Sequence, residues 1–123
     1  MSLDRHLAAL DLLRDRPFGD RAHHVAELAT AVPADAGQAE AERTALAGLL
    51  AARWGPPDRL GLGTLALRAE RGEPLPEPWA LLSTAVPDVE LWRVGGRWIA
   101  LGLTGAEGES PALLVCVTEV DPP

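Results

Sequence analysis

Lysine and tyrosine are absent from this 123-residue chain, and cysteine, methionine and phenylalanine occur once each. Each scarcity excludes something. A single cysteine, Cys116, rules out an internal disulfide. The lack of any Cys-x-x-Cys or His-Glu-x-x-His spacing removes the common zinc signatures. Without lysine there is no Gly-Lys-Ser/Thr phosphate loop, and Gly61-Leu62-Gly63-Thr64 also lacks the third glycine of a dinucleotide fingerprint. No apolar run approaches the roughly 20 residues that cross a bilayer. The opening Met1-Ser2-Leu3-Asp4-Arg5 has neither the basic nor the apolar region of a signal peptide. These absences predict a cytoplasmic protein with no membrane partner.

What is present is ordinary for one globular domain over 1–123: 47% hydrophobic and 24% charged residues, enough apolar side chains for a core. The formal net charge is −7, with every basic residue an arginine. Arginine without lysine, beside abundant Ala, Gly and Pro, is what GC-rich coding produces. The acidic balance repels phosphate backbones, so nucleic acid is not an expected partner.

The pattern divides the chain into a helical part (1–54), a proline-rich connection with short helices (55–88) and a β-meander (89–120). Leu3, Leu7, Leu10 and Leu13 form a stripe on a first helix that Ser2 caps. Asp20 caps an expected second helix bearing Ala22, Val25, Leu28, Ala29 and Val32, and Pro33 stops it. A third helix, with Asp35 as its cap and Leu46, Leu49 and Leu50 on its apolar face, ends at Trp54-Gly55-Pro56-Pro57. The alternation near 59–63 fits one extra short strand, with a short helix from Thr64 and another from Trp79.

The meander is the sharpest signal. Gly95-Gly96 between strand-like runs marks a two-residue hairpin. If Val94 pairs with Arg97, Trp92 opposes Ile99 and Arg93 opposes Trp98, so Trp92 and Trp98 lie on opposite faces. A third strand then sets Val115 beside Leu101 and Val117 beside Ile99. The middle strand, 98–103, is apolar on both faces, which demands cover on both sides. The predicted fold is α+β: about three N-terminal helices on a C-terminal three-stranded antiparallel meander. The second face is left to the Trp79 segment, a twin subunit or a foreign partner.

No residue group forms a catalytic, cofactor-binding or metal site. His23 and His24 diverge by about 100° if helical, and His6 stands on another element. Cys116 sits in an apolar strand as a small hydrophobe. The composition resembles that of small acidic proteins of GC-rich actinobacteria, a likeness that brings no functional residues with it. The expected function is non-catalytic: a small acidic interaction protein, in sharp form an immunity- or antitoxin-type inhibitor of a basic protein. Its candidate surface is Trp79, Arg93 and Trp98 with Glu70, Glu73, Glu77, Glu107 and Glu109. The alternatives are a homodimer joined through the second sheet face, or a small-molecule-binding protein or enzyme with a pocket between sheet and helices. In the latter Arg93, Arg97, Glu90 and Glu119 deserve first inspection.

Overall fold

The computed structural model describes residues 3–18, 23–28, 36–104 and 111–123. Its elements run α1 (Leu3–Asp15), β1 (His23–Leu28), α2 (Ala36–Trp54), β2 (Asp58–Gly61), α3 (Gly63–Glu70), α4 (Trp79–Ala85), β3 (Asp88–Val94), β4 (Arg97–Leu103) and β5 (Leu113–Thr118). The five strands form one antiparallel sheet in the order β1-β5-β4-β3-β2. The mixed α+β class is as the sequence predicts, and the details differ in the N-terminal helices and in the number of strands the sheet holds.

The hairpin has the expected register, with Val94 opposite Arg97, Trp92 opposite Ile99 and Arg93 opposite Trp98. Gly95 (φ 58°) and Gly96 (φ 78°) both take the left-handed backbone that a type I′ turn requires. β5 returns with Val117 opposite Ile99 and Val115 opposite Leu101.

Two corrections follow from where β5 lies. Residues 23–28, expected within a second helix, are strand β1, paired to β5 from His23–Thr118 to Leu28–Leu113. Their apolar spacing, Val25 and Leu28, fits one helical turn as well as a strand. What decides is β5, whose six residues are all buried. A buried strand cannot leave a row of backbone donors and acceptors unpaired, so it takes a strand on each side. The meander is therefore the centre of a five-stranded sheet, extended at its other edge by β2, the short strand expected near 59–63. The proposed caps Ser2, Asp20 and Asp35 lie outside the described residues.

Both faces are covered from within the chain. On one, α1 lies over β1 and β5 and α2 over β3 and β4. There Leu10, Leu46 and Leu50 meet Trp92, Ile99, Leu101, Val115 and Val117. On the other, α3 and α4 bring Leu62, Leu65, Trp79 and Leu82 against Val89, Leu91, Ala100, Leu114 and Cys116. Trp79 has no exposed surface, and its indole Nε1 donates to the Val120 carbonyl at 3.0 Å. Gly102 has a structural reason too: a Cβ there would stand 3.1 Å from the buried Val86 methyls.

The gates to this packing are local. Gly55 (φ 89°) ends α2, its N–H bonding the Ala51 carbonyl at 2.8 Å, as a helix C′ glycine does. Its own carbonyl accepts from Trp92 Nε1 at 3.0 Å. Arg97 closes α1: one guanidinium nitrogen donates to the carbonyls of Arg14 (2.6 Å), in the last turn, and of Arg16 (2.9 Å), just beyond it. No helix among the described residues is long and apolar enough to cross a membrane.

Gly95 and Gly96 have no heavy atom near the position a Cβ would take, so substitution there tests backbone alone. Gly95→Ala and Gly96→Ala are each expected to lower the unfolding free energy by about 1 kcal/mol in urea titrations, from the left-handed conformation alone.

Candidate interaction surface

The residues named from sequence separate into distinct environments. Trp79 is core and presents no surface. Arg93 and Trp98 do meet: the guanidinium carbon stands 5.1 Å from the indole ring centre. Asp121 ties them together, accepting from Trp98 Nε1 at 2.8 Å and from Arg93 Nη1 at 3.2 Å. The indole hydrogen bond first, and then the Arg93 charge, hold the Asp121 carboxyl below its usual range. This aromatic–cation–carboxylate cluster lies at the end of the sheet, on the face that carries α3 and α4. Trp98 is half-buried there and Arg93 and Asp121 are exposed.

Glu70, Glu73 and Glu77 bracket the link between α3 and α4, and all three are exposed. Glu73 grips Arg68 in a bidentate pair (2.6 and 2.9 Å), and that hydrogen bonding lowers its pKa. Glu77 accepts the Leu81 N–H at 3.1 Å in the first turn of α4. Glu107 and Glu109 lie outside the described residues. Arg97 and Glu119 form a loose ion pair at 3.8 Å.

Sequence reading missed a second polar centre. Arg43 stands on α2 three residues before Leu46 and seven before Leu50, within the buried stripe of that helix. Its side chain is 6% exposed and reaches β3, where it donates to Asp88 Oδ1 (2.8 Å) and Glu90 Oε1 (3.2 Å). Arg59 of β2 shares Asp88 at 3.3 Å. The Arg43 hydrogen bond is the main reason the Asp88 carboxyl titrates below its ordinary value. Beside these residues runs a groove of about 360 Å³, open to solvent, between α2 and the β2–β3 edge; Glu40, Thr44, Gly48 and Pro57 are among the residues of its walls. The signal for Arg43 was present in the sequence as a charge on an apolar helical stripe.

His6 and Glu42 are the other buried polar pair, 2% and 1% exposed, on α1 and α2. His6 Nε2 and Glu42 Oε2 have no hydrogen-bond partner among the described residues. Desolvation lowers the His6 pKa, with Glu42 opposing. Burial pushes the Cys116 thiol up to about 12, leaving it protonated at neutral pH and a poor nucleophile. Among the described residues, no three His, Cys, Asp or Glu side chains are grouped to hold a metal ion. His24 packs against Phe18, ring centres 4.9 Å apart, with Nε2 3.2 Å from the Arg16 carbonyl.

No protein-family model, curated protein or solved structure matches the chain.

Two outcomes test these assignments. Arg43→Met leaves the partly buried Glu90 without a counter-charge and Asp88 with only the exposed Arg59, and is expected to cost roughly 3 kcal/mol. Arg59→Met, in an exposed pair, should cost under about 1 kcal/mol; chemical denaturation of both variants measures the contrast. Burial in the folded state disfavours the charged form of His6, whereas the unfolded chain takes up a proton below about pH 6.5. The His6 contribution is therefore complete above that pH and declines as pH falls through the lowered folded-state value. Urea midpoints should drop as pH falls below about 6.5, and His6→Leu should flatten that slope.

Proposed function

We propose that the protein acts by binding a basic protein partner through its carboxylate-rich surface, as an immunity- or antitoxin-type inhibitor does. The observation that carries this reading is how the arginines are used. Arg14, Arg43, Arg53, Arg59, Arg68, Arg93 and Arg97 each stand within ion-pair distance of a carboxylate of the same chain. Asp4, Asp15, Glu27, Glu40, Asp58, Glu70 and Glu77 are exposed and have no such arginine among the described residues. Seven of the eleven arginines are thus paired within the fold, and unpaired exposed carboxylates outnumber the unpaired exposed arginines Arg5, Arg16 and Arg71 among the described residues. Complementary charge of this kind speeds association with a basic partner and makes it salt-sensitive.

The Arg93–Trp98–Asp121 cluster supplies an indole edge and a guanidinium of the kinds enriched at binding hot spots. A homodimer joined through the second sheet face loses its motive, because α3, α4 and Trp79 fill that face. The groove beside Arg43 gives the small-molecule reading less support, since Asp88 and Glu90 already occupy donors of that guanidinium.

Affinity capture from the native host, at low and at raised salt, tests the proposal. A basic protein should co-purify at constant stoichiometry, dissociate as salt rises, and be lost with Glu70→Arg/Glu73→Arg. Recovery of no stoichiometric partner, or of one indifferent to both salt and charge reversal, would refute it.

A further inference from the structure

The two edges of the sheet are built differently. β2 is guarded: it is four residues long, follows Pro56-Pro57 and carries the exposed Asp58 and Arg59. β1 has six residues, no proline, and a single carboxylate, Glu27. Among the described residues no backbone group pairs with its outer side. Val25 and Ala26, at its centre, remain half-exposed.

We propose that β1 pairs with β1 of a second copy of this chain, across a two-fold axis normal to the sheet, to make a continuous ten-stranded antiparallel sheet. The register follows from face and charge. Directly opposed residues in an antiparallel pair project to one side, and such an axis keeps the sides of the sheet. A residue can therefore oppose only one from its own face. His23, Val25 and Glu27 lie on the α3/α4 side, as the pairing of Val25 with Cys116 shows; His24 and Ala26 lie on the other. Centring the axis on Ala26 sets Glu27 against the apolar Val25 of the second copy. Centring it on Glu27 opposes two carboxylates. Centring it on Val25 places Val25 against Val25 and each His23 imidazole against a Glu27 carboxylate, twice by symmetry. That arrangement is self-complementary.

The helices permit the approach. α1 covers β1 and β5, so its axis lies about one strand spacing from the seam, and the two α1 helices come to about 10 Å, a normal packing distance.

Sedimentation velocity across the micromolar range tests this, with circular dichroism to confirm folding. The wild-type chain should sediment at twice its monomer mass at the upper concentrations. Glu27→Arg, at an exposed position, should raise the dissociation constant by about tenfold or more. The exchange variant His23→Glu/Glu27→His, which restores both cross-strand pairs, should return it to within about threefold of wild type. A monomer throughout the range, a dimer indifferent to Glu27→Arg, or an exchange variant as weak as Glu27→Arg would each overturn the proposal.

Discussion

Every residue of β5 is buried, and it lies between β1 and β4 with helices above and below. A strand in that position must satisfy two demands at once. Its side chains need apolar cover on both faces, and its backbone needs a hydrogen-bonding neighbour on both edges. The rest of the molecule is the solution. Leu113, Val115 and Val117 are met by the α1/α2 side, Leu114 and Cys116 by the α3/α4 side. β4 and β1 complete the two edges. The alternation of the strand thus sorts the chain into two layers, and the helices are distributed accordingly.

The tryptophans follow that partition. Trp92 belongs to the α2 layer, where Trp54 meets it edge-on at 6.0 Å; Trp79 and Trp98 belong to the other. In each of Trp79, Trp92 and Trp98 the indole N–H finds an acceptor, at Val120, Gly55 and Asp121 respectively. These bonds satisfy the polar end of a large apolar group. They also fix segments that have no sheet pairing of their own, the turn after α2 and the C-terminal 120–121.

Arginine has a parallel role. Arg97 closes the C-terminus of α1, Arg43 ties α2 to β3, and Arg59 joins β2 to the same aspartate. The guanidinium is suited to such work because it presents several donors in a fixed plane and stays charged when buried. In an acidic chain this use has an external consequence: arginines engaged in ion pairs within the fold leave the unpaired carboxylates to dominate the surface potential. The fold and the proposed interaction chemistry are linked through the same side chains.

The hairpin, its register and the opposite placement of Trp92 and Trp98 were legible because each depends on neighbouring residues: a Gly-Gly turn and strict alternation leave one pairing. The first helix and α4 were legible from stripe and stop signals, and Arg43 was open to reading as a charge within the α2 stripe. Residues 23–28 were not, because Val25 and Leu28 suit a helix or a strand and only the unpaired edge of β5, some 90 positions later, chooses between them. Nor were the partners of Arg43, since helix azimuth against a distant strand has no local signature. The sequence by itself determined the meander, its two-sided hydrophobicity and the acidic balance, all properties of adjacent residues. Only the tertiary structure decided that the chain covers its own second face, where the arginine charge goes, and which edge strand is unpaired among the described residues, because each depends on contacts between segments far apart in the chain.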